Sequence, residues 1–123
     1  GQGRLAVMAS IAGYRGLPYA GVYSAAKSAT IRLCESLNPE LRAAGIQLSV
    51  INPGFVKTPL TDRNEFPMPF LIPVEEAVDA LVAGLASDRF EVTFPRRFAL
   101  LLRILNMLPY RAYFALVRRM TGA

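Results

Sequence analysis

The chain has 123 residues, of which 53% are hydrophobic, and a formal net charge of +5. It contains no histidine and a single cysteine, Cys34, which excludes Ser-His-Asp and Cys-His catalysis, His-ligated zinc or haem sites and any internal disulfide. The length suits one small domain with an ample core, and we predict no metal site.

The first part of the chain predicts a strand, a loop and a long helix. Residues 5–9 form a short apolar run without helical periodicity, which indicates a buried strand. A loop follows, marked by Gly13, Gly16, Pro18 and Gly21. Residues 22–44 carry alanine and leucine at helical spacing and stop at Gly45, so we predict a helix there. Pro39 should kink or divide that helix, because proline removes one helical hydrogen-bond donor.

The next elements complete a βαβ unit. Residues 46–51 predict a second strand, which Asn52-Pro53-Gly54 ends sharply. Two strands joined by a long helix predict a parallel sheet with a right-handed crossover. Residues 57–73 contain four prolines and two phenylalanines and predict an irregular, partly apolar loop. Residues 74–87 return to helical spacing, and residues 90–94 predict a short strand.

The C-terminal segment is basic and amphipathic. Residues 96–120 have a helical pattern interrupted by Pro109, and residues 92–123 contain six arginines and no acidic residue. Three interpretations stay open: surface helices that cover the core, contact with a membrane surface or an apolar partner, and nucleic-acid binding. The aromatic residues lie among the leucines and not among the arginines, so we expect no nucleic-acid partner. We divide the chain into residues 1–94 and a basic helical tail, 95–123. No uncharged apolar run approaches the roughly 18 residues that a membrane-spanning helix needs.

Tyr23 and Lys27 are candidate catalytic residues. They stand four positions apart at the start of the long helix, so a phenol and an ammonium can approach the same bound molecule. A phenol is a poor acid or base at neutral pH, and a nearby cation favours its phenolate form. The pair alone is a weak signal, since a packed tyrosine and a solvated lysine would give the same pattern.

Other polar residues are expected at the same edge of the sheet. Ser10 follows the first strand, and the segment containing Pro53, Gly54, Val56 and Thr58 follows the second. The carboxyl ends of parallel strands form the edge at which α/β folds bind ligands. A serine hydroxyl there could hold a carbonyl oxygen, and backbone N–H groups with a threonine hydroxyl could hold an amide or phosphate.

Together these elements resemble the C-terminal half of a short-chain dehydrogenase/reductase. The resemblance covers residues 3–58: a strand ending in Ser10-Ile-Ala-Gly13, then Pro18, Tyr23-x-x-x-Lys27, an alanine-rich helix, a strand, and Pro53-Gly54 with Thr58 four residues later. It implies an α/β fold, namely the C-terminal half of a doubly wound Rossmann-type parallel sheet, here with two extra C-terminal amphipathic helices. It also implies an oxidoreductase that uses NAD or NADP to interconvert alcohols and carbonyls.

The resemblance assigns roles to individual residues. Ser10 would orient the substrate carbonyl, and Tyr23 would be the general acid/base. Lys27 would hold the nicotinamide ribose and favour the Tyr23 phenolate. Pro53, Gly54, Val56 and Thr58 match the segment that contacts the nicotinamide end of the cofactor. Family members commonly form homo-oligomers through the long helix.

The substrate would be a small carbonyl or alcohol compound. Four large apolar side chains in the loop of residues 60–73 suggest that it is apolar, although the same side chains could simply pack beneath the loop: Phe66, Met68, Phe70 and Leu71. We expect a cytoplasmic protein with possible peripheral membrane contact.

The family's glycine-rich phosphate turn, its ribose selector and its catalytic asparagine have no counterpart in the sequence. Gly1-Gln-Gly3 precedes a strand, whereas the phosphate fingerprint follows one. We therefore expect a fragment of a longer enzyme, and NAD cannot be distinguished from NADP. The alternative is a non-catalytic, truncated relative that acts by interaction or by membrane contact of its C-terminal helices.

Overall fold

The computed structural model describes residues 2–57, 68 and 70–121. In chain order they form β1 (Gly3–Met8), a 3-10 turn (Ile11–Gly13), α1 (Gly21–Ala43), β2 (Ile46–Pro53), β3 (Val56–Lys57), β4 (Ile72–Pro73), α2 (Val74–Leu85), β5 (Glu91–Phe94), α3 (Arg96–Asn106) and α4 (Tyr110–Thr121). The predicted strands and helices are confirmed to within a few residues at their ends. The first strand was predicted to be buried, and this is wrong, because five of the six β1 residues are exposed. The pair β3 and β4 lies within the segment predicted as irregular.

The main sheet is parallel and has the strand order β1-β2-β5. Gly3 is in register with Ile46 and Met8 with Ile51, so β1 and β2 pair along the whole of β1. The α1 helix connects these two strands, which confirms the predicted βαβ unit. A second sheet consists of the two short parallel strands β3 and β4.

Two hydrophobic clusters lie on opposite faces of the sheet, because successive residues of β2 point to opposite sides. Val50 belongs to a cluster that also contains Ile31 and Cys34 of α1 and Leu102 of α3. Ile51 belongs to the other cluster, with Ala77 of α2. Helices thus cover both faces of the sheet, as in a doubly wound α/β fold.

Pro39 does not divide α1, contrary to one of the outcomes predicted from the sequence. The helix is continuous from Gly21 to Ala43 with Pro39 inside its last two turns. Pro39 and Glu35 are both exposed, so the Glu35 carbonyl, which would otherwise accept the bond that proline cannot donate, can be hydrated. This position makes the proline tolerable near the end of the helix.

The α3 and α4 helices contact the rest of the fold through buried residues. Phe98, Ala99 and Leu102 of α3 belong to the same cluster as α1, and Tyr113 of α4 is buried. Side chains of the predicted tail therefore contribute to the core. Within the described part of the chain, no helix is both long enough and apolar enough to cross a membrane.

Candidate active site

Tyr23 and Lys27 lie on the first two turns of α1. The Lys27 Nζ atom stands 5.5 Å from the centroid of the Tyr23 ring, within the range of a cation–π contact. Tyr23 is 52% exposed and Lys27 is partly exposed, so both side chains can be reached from solvent. The structure confirms that the phenol and the ammonium share one helix face.

Ser10 lies two residues beyond the end of β1, at the N-terminus of the 3-10 turn. Its Oγ atom accepts a hydrogen bond from the Ala12 N–H at 3.1 Å, which caps the turn and fixes the side chain. The residue is buried. Because the oxygen acts as the acceptor in this bond, the hydroxyl proton can still be donated to a bound molecule.

The turn that carries Ser10 packs directly on α1. A Cβ atom at Gly13 would stand 2.8 Å from the Lys27 carbonyl carbon, 2.9 Å from the Lys27 oxygen and 2.8 Å from Ile31 Cδ1. Only a residue without a side chain permits this approach. The loop that follows is held to α1 as well, because Ser24 Oγ accepts a hydrogen bond from the Leu17 N–H at 3.3 Å. The structure therefore brings the Ser10 segment against the part of the helix that bears Lys27.

The segment after β2 lies beside the same turn. A Cβ atom at Gly54 would meet Ile11 Cδ1 at 3.3 Å and Phe98 Cδ2 at 3.0 Å, and the Gly54 N–H donates to the Phe94 carbonyl at 2.9 Å. Pro53 ends β2, and Val56 pairs with Ile72. The chain's own side chains fill the space beside the Gly54 Cα, so its contact with a cofactor stays a prediction. Thr58 lies outside the described residues.

A polar cluster beside the turn was missed by the sequence analysis. The Glu91 carboxylate accepts hydrogen bonds from the Tyr14 hydroxyl, from Arg103 and, at 2.7 Å, from Asn52 Nδ2. Burial and the adjacent Glu91 raise the pKa of Tyr14 above its usual value, and Arg103 partly opposes this. Asn52 is fully buried, and its Oδ1 atom has no hydrogen-bond partner among the residues described. The available signal was an acidic residue between apolar neighbours in the strand predicted at residues 90–94, because a carboxylate needs polar partners wherever such a strand is buried.

The apolar loop residues are only partly described. Phe66 lies outside the described residues. The Phe70 ring packs 5.4 Å from the Phe98 ring, centroid to centroid, and both Phe70 and Leu71 keep more than a third of their surface exposed. Phe70 therefore contacts the chain's own core while still offering apolar surface to solvent.

Comparison with known proteins identifies the family. The family model described as short chain dehydrogenase matches residues 1–67. An uncharacterized oxidoreductase of Myxococcus xanthus is 40% identical over 97% of this chain and 47% of its own length. Human 17-beta-hydroxysteroid dehydrogenase 13 is 30% identical over 96% of this chain and 40% of its own length.

A solved structure agrees with these sequence matches. The crystal structure of a short chain dehydrogenase from Burkholderia cenocepacia, in complex with NADP, has a TM-score of 0.77 and 30% identity, covering 96% of this chain and 48% of that one. The chain thus spans about half the length of the relatives it matches. The fold, the family match and these likenesses agree: the chain belongs to the short-chain dehydrogenase family of oxidoreductases.

Proposed function

We propose that this chain carries the acid/base half of an NAD(P)-dependent oxidoreductase that interconverts an alcohol and a carbonyl compound. The observation that carries the proposal is the contact at Gly13, which packs the turn that follows Ser10 on the backbone of Lys27. This contact supports a site in which the Ser10 hydroxyl, the Tyr23 phenol and the Lys27 ammonium face the same ligand at the carboxyl edge of the parallel sheet. Such an edge is where α/β folds bind ligands.

The three side chains divide the chemistry between them. The Tyr23 hydroxyl gives a proton to the carbonyl oxygen during reduction and takes it back during oxidation. The Ser10 hydroxyl donates a hydrogen bond to the same oxygen and so fixes its position. The Lys27 ammonium, above the Tyr23 ring, stabilises the negative charge that the phenol acquires when it loses its proton.

The cofactor proposal concerns the nicotinamide end alone. NAD or NADP, when bound, supplies or accepts the hydride at the substrate carbon. The accessible Lys27 ammonium suits ribose hydroxyls, and the residues that would lie along the nicotinamide end are Tyr23, Lys27, Pro53, Gly54, Val56 and Thr58. The sequence has no glycine-rich turn after a strand to hold the pyrophosphate. We therefore propose that the chain works as part of a longer protein, whose other half holds the rest of the cofactor.

The remaining family expectations are proposals as well. An apolar substrate is supported by the exposed surface of Phe70 and Leu71. A homo-oligomer that pairs through α1 is supported by Leu33 and Leu37, which are exposed on that helix. A cytoplasmic location follows from the resemblance alone.

Substitution of Tyr23 tests the mechanism in a complete protein that contains this chain. We expect Tyr23→Phe to abolish turnover and to leave cofactor affinity nearly unchanged, because only the transferable proton is removed. Tyr19→Phe is the matched control, since Tyr19 lies in the loop just before α1 with its side chain almost fully exposed. Retained turnover in Tyr23→Phe would refute the assignment.

Substitution of Lys27 tests the role of the ammonium. We expect Lys27→Ala to weaken cofactor binding, because the ammonium that would hold the ribose hydroxyls is lost. The measurement is a cofactor titration of a complete protein that contains this chain. Unchanged cofactor affinity would refute this role of Lys27.

A binding experiment tests whether this half of the fold binds the cofactor on its own. NADH and NADPH are titrated against the 123-residue chain while nicotinamide fluorescence is followed. Micromolar binding would show that this half alone builds a working pocket. No binding up to millimolar concentration would assign the enzymatic role to the longer protein.

The outer surface of α3 favours a second candidate function, contact with an anionic lipid surface. The core-facing residues of α3 are Phe98, Ala99 and Leu102, yet Leu100, Ile104 and Met107 on the opposite side are also apolar, and Met107 is 82% exposed. On a helical wheel Arg96 and Arg103 flank this outer stripe on one side and Arg97 on the other. An exposed apolar stripe with arginines at its margins is typical of a helix that lies in a membrane interface.

Vesicle co-sedimentation tests this second candidate. We expect the chain to pellet with vesicles containing phosphatidylglycerol and less with vesicles of phosphatidylcholine alone. The double change Leu100→Ser/Ile104→Ser should abolish pelleting. The control Val78→Ser/Val82→Ser removes comparable exposed apolar surface from α2 and should leave pelleting intact. Equal pelleting of the two double variants would exclude the proposed lipid surface.

A further inference from the structure

Three contacts join the turn that carries Ser10 to the C-terminal helices. We define the Ser10 turn as residues 10–16. The first contact is made by Arg15, whose Nη1 atom donates to the carbonyl oxygens of Leu105 at 2.8 Å, Asn106 at 3.2 Å and Leu108 at 2.6 Å. These carbonyls lie at the C-terminal end of α3 or just beyond it, where the helix dipole favours a cation. Arg15 therefore caps a helix that lies some 90 residues away in the sequence.

The second contact comes from α4. The Tyr113 hydroxyl donates to the Gly16 carbonyl at 2.6 Å, and the Tyr113 ring is buried. The Arg15 guanidinium carbon stands 4.0 Å from the centroid of the same ring, close enough for a cation–π contact. The end of the Ser10 turn is thus held by both C-terminal helices at once.

The third contact ties the middle of the turn to β5 and α3. Tyr14 donates to Glu91, Arg103 donates to the same carboxylate, and the Arg103 guanidinium carbon lies 4.9 Å from the Tyr14 ring centroid. Arg103 balances the charge of Glu91, and the neutral Tyr14 and Asn52 side chains donate further hydrogen bonds to it. The partly buried carboxylate is therefore well paired. Because Tyr14 and Arg103 share this one acceptor, the hydrogen bonds limit the positions open to Tyr14.

We propose that Tyr14, Arg15 and Tyr113 are positioning residues, through which the α3–α4 pair sets the position of the Ser10 hydroxyl relative to Tyr23. The turn is held between two supports: α1, against which Gly13 packs, and the C-terminal helices, which hold residues 14–16. A shift of about 1 Å at a group that contacts substrate can cost about 100-fold in rate. The importance of Ser10 rests on the proposed function, whereas the bracing of the turn does not.

Amide hydrogen exchange of the 123-residue chain measures the bracing directly. The Ala12, Gly13 and Tyr14 N–H groups all bond within the turn, whereas the Val50 N–H bonds to Phe90 in the sheet and serves as the reference. We expect Arg15→Gln to accelerate exchange at the three turn amides by about tenfold and to leave Val50 unchanged. Tyr113→Phe, which removes only the hydroxyl and keeps the buried ring, should act in the same direction. Arg111→Gln, which removes one positive charge from α4, is the control. It should change exchange neither at the turn amides nor at Val50.

Two results would overturn the proposal. Unchanged exchange at the turn in both variants would show that the C-terminal helices do not brace it. Equal acceleration at Val50 and at the turn would show that these contacts hold the whole fold and not the turn. Neither result depends on turnover, so failure here is distinguishable from failure of the Tyr23 assignment.

Kinetics of a complete protein containing this chain supply the second readout. We expect Arg15→Gln to lower kcat about 10-fold to 100-fold and to leave the KM for cofactor unchanged, because Arg15 acts through the position of Ser10. Arg15→Lys should restore part of kcat, since an ammonium can still donate to the carbonyls at the end of α3. An increase in cofactor KM without a change in kcat would contradict a positioning role.

Discussion

At Gly13 the Ser10 turn approaches α1 so closely that a methyl group has no space. A Cβ atom would come within 3 Å of backbone atoms of Lys27, and backbone cannot move aside as the end of a flexible side chain can. We expect Gly13→Ala to lower the free energy of unfolding by about 1–3 kcal/mol, measured by urea denaturation. Gly16→Ala is the control, because nothing lies within 4 Å of its added Cβ, and it should change stability by less than about 0.5 kcal/mol. Equal stability of the two variants would show that the turn is not packed on α1.

Tyr14 gives the stability of the protein a pH dependence in the alkaline range. Burial and the hydrogen bond to Glu91 raise the pKa of Tyr14 above its ordinary value of 10.0, so the folded state keeps the phenolic proton that the unfolded chain releases. The stabilising contribution of the contact is fully present below pH 10 and is lost as the pH rises above it. The free energy of unfolding should fall by up to about 1.4 kcal/mol per pH unit for this group.

Tyr14→Phe isolates this effect, because burial also raises the pKa of Tyr113 in the same direction. Urea unfolding curves at several pH values between 8 and 11 should show a shallower alkaline loss in Tyr14→Phe than in the unsubstituted chain. Parallel losses in the two proteins would mean that Tyr14 ionises equally easily when folded and unfolded.

At the scale of elements, α3 belongs to the core through one face only. Leu102 is 8% exposed and lies in the cluster with Val50 and Tyr14, whereas Leu100, two residues earlier, is 60% exposed. We expect Leu102→Ala to cost about 2–5 kcal/mol of unfolding free energy, because it removes buried methyl groups and leaves a cavity. Leu100→Ala should cost less than about 0.5 kcal/mol. Similar losses of unfolding free energy for both substitutions would show that α3 does not pack on the core through Leu102.

The elements were predictable from the sequence because their signals are local. Each signal lies within a short stretch of consecutive residues: the apolar runs of β1 and β2, and the spacing of alanine and leucine in α1. The pairing of β3 with β4 was missed, because strands of only two residues carry no periodicity. The continuity of α1 through Pro39 depends on exposure, which spacing does not reveal.

The candidate site was likewise predictable where the signal is local and not where residues distant in the sequence meet. The Tyr23–Lys27 pair follows from helical spacing, and the place of Ser10 follows from the edge of the sheet. The contacts of Arg15, Tyr14 and Tyr113 join residues 77 to 97 positions apart, so no local pattern indicates them. An arginine between glycines in a loop gave no sign that it caps a helix.

At the scale of the whole molecule, the two layers of helices cover the sheet unevenly. Residues 48–52 of β2 are buried, whereas five of the six residues of β1 are exposed. Leu5 and Met8 lie on opposite faces of β1, because they are an odd number of positions apart, and about half of each side chain is exposed. Within the described residues, β2 is the only strand that pairs with β1. One strand therefore offers an unpaired edge and two apolar faces to a partner.

We expect the 123-residue chain to self-associate through β1, because an exposed apolar edge strand is a template for pairing with another chain. Sedimentation velocity over a range of concentrations should show association that Met8→Lys weakens about tenfold or more, since a charge on an edge strand opposes docking and the buried area of methionine is lost. Val82→Lys adds the same charge to the exposed face of α2, away from β1, and should leave association unchanged. Equal weakening by both variants would show that net charge, and not the β1 edge, controls association. A chain that is monomeric at every concentration would exclude the edge as a contact surface.

The experiment also bears on the homo-oligomer proposed above. Association that survives Met8→Lys would have to use another surface. The exposed leucines of α1 are the nearest candidate.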